Sequence, residues 1–158
     1  MIVPVRVLVL CTANVARSQL AEALLRHRGG DLVTVASAGS VPGRSPHPLA
    51  VQVLAERGIA WEGKQSKGID AVASQQWDLV ITVCDAARDA CPILPGATMV
   101  HWGMADPAAG PNEVDRLEAF RGTAAALDQR FAQLLALPLA TLAPRDLARE
   151  AAAIHANA

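Results

Sequence analysis

Residues 5–27 read VRVLVLCTANVARSQLAEALLRH, and this stretch decides the fold class. Val5 to Leu10 is almost wholly apolar and rich in valine, the composition of a strand buried on both faces. From Arg17 onward the apolar residues Leu20, Ala21, Leu24 and Leu25 recur at helical spacing. Between strand and helix lies a five-residue loop, Thr12 to Ala16, bracketed by Cys11 and Arg17. A loop of that length closing on a helix N-terminus suits an oxyanion. Backbone N–H groups of Thr12, Ala13, Asn14, Val15 and Ala16 converge on it, and Arg17 offers a planar two-point clamp. The same donors favour a thiolate at Cys11, with Ser18 placed to give its hydroxyl to the sulfur. Taken without the rest of the chain, a cysteine at a strand end beside a surface arginine reads equally as packing.

The remaining sequence continues the alternation. Strand-like runs recur at 32–37 (LVTVAS), 77–84 (WDLVITVC) and 97–102 (ATMVHW). Helical patterns occupy 48–58 (PLAVQVLAERG, ending on Gly58), 112–137 and, in the tail, 145–156. Alternating strands and helices predict an α/β fold: a single parallel sheet with helices on both faces. With 158 residues the chain is one domain, read as 1–137 plus a helical extension, 138–158, packed on it. Fourteen Lys and Arg balance fifteen Asp and Glu and are scattered, which argues against nucleic-acid or membrane surfaces. No apolar run approaches a membrane span, and no basic leader precedes the first strand, so a cytoplasmic home is expected. Thiols are reduced there, which favours catalytic or redox use of the three cysteines over structural crosslinks.

Cys84 ends the third strand run as Cys11 ends the first, so both fall on the carboxyl rim where open α/β sheets bind ligands. If the two strands are neighbours, their ends lie about 5 Å apart, a spacing a disulfide tolerates. Cys91 follows seven residues later, and a helix would hold it about 10 Å from Cys84 along the axis, so pairing would need the segment to unwind. Three unrelated buried thiols, or a zinc site lacking the usual CxxC spacing, are the other readings of this pattern. On the same rim Asp106-Pro107 reads either as a turn initiator or as a carboxyl placed to protonate a leaving oxygen.

Together CTANVARS, SAGS, HPLAVQVLAERGI, VITVCDAARDACPILPG and HWGMADPA resemble the thioredoxin-coupled arsenate reductases, which share the low-molecular-weight protein tyrosine phosphatase fold. The similarity runs from Val5 to about Leu137. It implies a four-stranded parallel sheet, with Cys11 as nucleophile, Arg17 as oxyanion clamp and Asp106 as general acid. It also implies that Cys84 and Cys91 carry a disulfide relay. Arsenate would be the substrate, phosphate and sulfate its mimics, and detoxification of arsenic the purpose. No bound cofactor is expected; thioredoxin is the expected external reductant, with glutaredoxin or a small thiol behind it.

Several positions depart from the family pattern. Ala13 and Val15 stand where the loop usually has Gly and Ser, and Ala16 where some members have cysteine. A positive φ at Ala13 is the expected point of strain. Some relatives bind potassium beside the loop. Asn14, Glu22 and Ser37 match three of those ligand positions, but Lys67 replaces a carboxylate, so its ammonium is expected to stand in for the ion and no metal is expected. A phosphatase is the alternative reading, with weak phosphatase activity also possible as a side reaction. Against it, Ala108 and Ala109 follow Asp106-Pro107 where aryl substrates need aromatic residues, and the chain has no Tyr. A non-catalytic oxyanion- or arsenite-binding protein would leave Asp106 and the thiol spacing without purpose. His27, His47, His101 and His155 show no nucleophile–base spacing and read as surface or packing residues.

Overall fold

The valine-rich run forms β1 (Val5–Cys11), which in this computed structural model, describing residues 3–90, 94 and 96–158, lies inside the sheet. Four parallel strands pair in the order β2-β1-β3-β4, with β2 at Val33–Gly39, β3 at Leu79–Thr82 and β4 at Thr98–His101. Flanked by β2 and β3, β1 has no exposed edge, which is why it needs no alternation of polar residues.

Helices α1 (Arg17–Gly29), α2 (Pro48–Glu56), α3 (Asp85–Ala90), α4 (Glu113–Leu135) and α5 (Pro144–Ala156) complete the chain. Val7, Val9 and Cys11 point to one face of the sheet, into a core shared with Leu20, Leu24, Leu54, Phe120, Phe131 and Leu147 from the helices. Leu8 and Leu10 point the other way, where Val72, Trp77, Val80 and Leu94 cover them. That second layer is thinner, built around a one-turn 3-10 helix at Ile69–Ala71. Each fully buried leucine contributes roughly 1.5–3 kcal/mol of hydrophobic stabilisation. The tail is bound into the first core: Leu147, Ala151 and Ile154 are buried, and Trp102 Nε1–H donates to Ala151 O at 2.9 Å.

The third strand run is shorter than its apolar pattern. β3 ends at Thr82 because the chain turns there into α3; Val83 N–H makes one further bond to Leu10 O. Cys84 therefore stands two residues past the strand, not on its last residue, but still on the rim above the β1–β3 pair. Among the described residues no helix is long and apolar enough to cross a membrane.

Candidate active site

The loop after β1 is held from outside by its own carbonyls. Cys11, Thr12, Ala13 and Val15 accept from the N–H groups of Ser40, Val41, Gly43 and His47, and Ala16 O accepts from Leu20 N. Asn14 O accepts from Ser66 Oγ–H at 2.7 Å and Gln19 Nε2–H at 3.1 Å. With the carbonyls engaged outward, the loop's N–H groups other than that of Asn14, which donates to Cys11 Sγ, are the ones left for an anion. The first turn of α1 adds to this. Its N-cap Ala16 makes no side-chain cap bond and no acidic residue lies in that turn, so the positive end of the helix is not neutralised locally. Gly39, closing β2, allows the approach: a Cβ there would lie 2.4 Å from Thr12 O and 2.9 Å from Asn14 N.

The sulfur of Cys11 has defined partners. Asn14 N–H donates to it at 3.2 Å, and Ser18 Oγ lies 2.7 Å away. The direction of that second bond follows from the network behind it. A carboxylate only accepts, so Ser37 Oγ–H donates to Glu22 Oε1 at 2.7 Å. Ser37 Oγ then accepts from Asn14 Nδ2 at 2.9 Å, and the other Nδ2 hydrogen goes to Ser18 Oγ at 2.8 Å. Ser18 thus keeps its own hydrogen for the Cys11 sulfur. Asn14 Oδ1 accepts from Lys67 N–H at 2.9 Å and Gln19 Nε2–H at 3.1 Å, so the amide of this fully buried residue is used on both sides.

Asn14 also corrects the expectation about strain. The positive φ of the loop, 55°, belongs to Asn14 and not to Ala13. Asparagine tolerates the left-handed region better than residues without a short polar side chain, so an alanine at 13 costs the loop nothing there.

Beneath the cradle the residues do not fit a potassium ion. Asn14 turns its amide nitrogen, a donor, toward Ser37, and Lys67 Nζ stands 3.6 Å from Glu22 Oε1 while Arg26 pairs with Oε2 at 2.9 Å. Among the described residues no group of three His, Cys, Asp or Glu side chains gathers as a metal site.

Arg17 lies at the rim, with NH1 donating to Met104 O at 2.8 Å, and shares a cleft with Asp85, His101, Gly103, Met104, Asp106 and His155. Asp106 is exposed and plays the turn-forming part: Oδ1 accepts Ala108 N–H at 2.9 Å and caps the 3-10 turn Pro107–Ala109. Cys84 is buried, and its Sγ lies 3.3 Å from Thr12 Oγ1, which brings the second thiol beside the loop that follows the first. Cys91 lies outside the described residues.

Two histidines depart from the surface-or-packing reading. His47 Nδ1 caps α2 by accepting Leu49 N–H at 3.0 Å, and burial holds its pKa below the ordinary histidine value. His101 bonds Thr82 on one side and Asp85 on the other, both at 2.7 Å. The hydrogen bond from His101 in turn holds the Asp85 carboxyl below its usual range. The available signal was positional: His101, like Cys11, closes a parallel strand on the ligand rim.

The family described as low molecular weight phosphotyrosine protein phosphatase matches residues 6–150. An arsenate reductase of Halalkalibacterium halodurans is 42% identical over 100 residues, covering 63% of this chain and 71% of the relative. A solved structure described as an arsenate reductase in the phosphate binding state aligns with a TM-score of 0.69 at 28% identity, over 84% of this chain and 97% of that one. A Corynebacterium glutamicum thioredoxin-dependent arsenate reductase aligns with a TM-score of 0.60 at 34% identity, over 82% of this chain and 63% of that one. A match running from the first strand into the last helix means that the chain belongs to the low molecular weight phosphotyrosine protein phosphatase family, alongside the arsenate reductases that share its fold.

Proposed function

We propose that the chain is a thioredoxin-coupled arsenate reductase. The observation that carries the reading is the second cysteine, Cys84, in contact with Thr12 at the edge of the Cys11 cradle. Hydrolysis of a phosphate ester has no use for it. In the cradle the loop N–H groups and the Arg17 guanidinium hold arsenate, whose charge and shape match phosphate. The Cys11 thiolate forms a bond to arsenic(V) as one oxygen departs as water, protonated by Asp106. For this step Asp106 uses Oδ2, since Oδ1 is engaged by Ala108.

Cys84 thiolate then attacks the Cys11 sulfur. A sulfur–sulfur bond forms, the sulfur–arsenic bond breaks, and its electron pair stays on arsenic, which leaves as arsenite. Two thiolates have been oxidised to one disulfide and arsenic has gained two electrons. Cys91 attacks the Cys84 sulfur, releases the Cys11 thiolate, and presents the Cys84–Cys91 disulfide to thioredoxin. The Corynebacterium relative, described as thioredoxin-dependent, supports that choice of reductant. A slow hydrolysis of aryl phosphates by the same cradle accompanies the main activity.

Cys91→Ser tests the scheme. With thioredoxin as sole reductant this variant should release about one arsenite per enzyme and accumulate a Cys11–Cys84 disulfide, identified by peptide mapping. Rapid multiple turnover by the variant would remove Cys91 from the mechanism. Absence of any arsenite from the wild-type protein, with brisk aryl phosphate hydrolysis, would return the chain to the phosphatases.

A further inference from the structure

We infer that His101 and Asp85 form a positioning clamp that holds Cys84 at the rim of the cradle for its attack on Cys11; the inference rests on the reductase reading. Thr82 and His101 are register partners, each the last residue of its strand. Thr82 is buried, so the hydroxyl that meets His101 Nδ1 at 2.7 Å is a fixed point. His101 Nε2 reaches across the rim to Asp85 Oδ1 at 2.7 Å. Asp85 is the residue after Cys84 and the first of α3. A rigid sheet is thereby tied to the backbone that carries the second thiol.

That backbone is anchored to the sheet on its N-terminal side, where Val83 N–H donates to Leu10 O and Val83 O accepts from Met104 N–H, and the tie at Asp85 holds the side that leads away. Of the six described residues of α3 only Ala87 is buried, so packing contributes little to holding this segment in place. Cys84 itself is held by the contact of its sulfur with Thr12 and by Arg88 N–H donating to its carbonyl at 3.2 Å.

The surroundings are shaped to the pair. A Cβ on Gly103 would lie 2.8 Å from His101 Nε2 and 3.3 Å from Asp85 Oδ1, so the chain leaving β4 is kept bare where the two side chains cross it. A carboxylate only accepts, which assigns the Nε2 hydrogen to the bond with Asp85. Thr82 Oγ1 also lies 3.4 Å from Val100 O. When Nδ1 is unprotonated, the hydroxyl donates to it. When Nδ1 carries hydrogen, the hydroxyl accepts and turns its own hydrogen to Val100. Nε2–H stays on Asp85 in both states, so the clamp holds whichever form the ring takes beside Arg17, Asp106 and His155, which face the same cleft.

A Cys84 held in place spends more of its time within reach of the Cys11 sulfur, which raises the rate of disulfide formation without altering how the cradle binds its anion. The experiment mixes reduced protein with arsenate, without thioredoxin, and follows arsenite release in one turnover, with phosphate affinity measured in parallel. His101→Ala should release arsenite roughly ten- to a hundredfold more slowly, the worth of a hydrogen bond to a charged group, with phosphate affinity within about twofold of wild type. His101→Gln, which keeps an N–H near the Nε2 position, should recover most of the rate, whereas His101→Asn should not. Asp85→Ala, at an exposed residue, should reproduce the loss, and it decides the matter should the His101 variants fail to fold.

Wild-type single-turnover rates in both His101→Ala and Asp85→Ala would overturn the clamp and leave the reductase reading standing. Loss of phosphate affinity in step with arsenite release would overturn it as well, since the pair would then be serving the cradle. A wild-type protein that binds phosphate but releases no arsenite would instead overturn the reductase reading, and the clamp with it.

Discussion

The cradle and the segment beginning at Cys84 stand side by side on one rim, yet they hold their shape by opposite means. Residues 11–15 have their carbonyls engaged by other segments, and Asn14 and Ser18 are fully buried within a continuous hydrogen-bond network. The Cys84 segment is joined to the sheet through the backbone bonds of Val83 with Leu10 and Met104 and a few side-chain contacts, and it continues into a helix whose residues, Ala87 apart, face solvent. A site that binds an oxyanion by preorganised dipoles gains from the first construction. In the proposed function a thiol that passes a disulfide onward needs the second, because local opening draws on the least stable parts of a structure.

The comparison can be broken most sharply at Cys11. Cys11→Ser should abolish arsenate reduction and aryl phosphate hydrolysis together while far-ultraviolet dichroism stays native, because the network around residue 11 accepts a hydroxyl of similar shape. Activity near wild type would show that the cradle is not the reacting site. Next comes Arg17→Lys, which keeps the charge and loses the planar fork. A fall of roughly a hundredfold in kcat/KM is expected, and an unchanged value would reduce Arg17 to a rim charge.

Asn14 tests how far the cradle depends on its buried network. Asn14→Ala removes hydrogen bonds to Ser18, Ser37, Lys67 and Gln19 and puts a β-carbon without polar compensation at φ 55°. A loss of roughly 2–4 kcal/mol by denaturant unfolding is expected. Asn14→Gly should be less damaging by about 1 kcal/mol, since glycine accepts that φ freely. Equal losses would mean that backbone strain plays no part.

Acid should separate the two regions next. Burial lowers the pKa of His47, whose backbone N–H donates to Val15 O and whose ring Nδ1 accepts Leu49 N–H, so the folded state resists protonating the ring. Its contribution is fully present above the ordinary histidine value and is lost as pH falls through the lowered one, because the unfolded chain binds the proton more readily. Asp85, lowered by its bond from His101, behaves as a carboxylate: its contribution is present above the ordinary value near 3.8 and is lost only as pH falls through the depressed one. Between about pH 7 and 5 stability should therefore decline through histidine and not through Asp85. His47→Gln should flatten that decline in part, leaving the share of His155, which burial also lowers. An unaltered pH–stability curve would sink the assignment. The smallest effect belongs to α3: Arg88→Ala removes an exposed pair with Asp89, 3.5 Å apart, and should leave Tm within about 2 °C of wild type.

Much of this was legible in the chain itself. The strand, loop and helix of residues 5–29 follow from the apolar run, the polar break and the 3.6-residue recurrence, all set by near neighbours. The alternation that predicts a parallel sheet is local in the same way, and so is the placement of Cys11 and Arg17 at the two ends of the loop. The end of β3 was less legible, because Val83 and Cys84 continue the apolar pattern while the chain has already left the ladder.

What the sequence could not decide is how distant residues meet. Asn14, and not Ala13, takes the left-handed backbone because Ser37 from β2 and Lys67 from a later loop reach its amide. His101 finds Asp85 because parallel pairing sets Thr82 against it, and Gly103 leaves room for the crossing. Residue type and spacing determined the elements and the placement of a thiol at the strand end. The donor network that keeps that thiol supplied with hydrogens, and the tie that holds the second thiol beside it, came only with tertiary packing, since strand register and buried hydrogen bonds are chosen by the whole core at once.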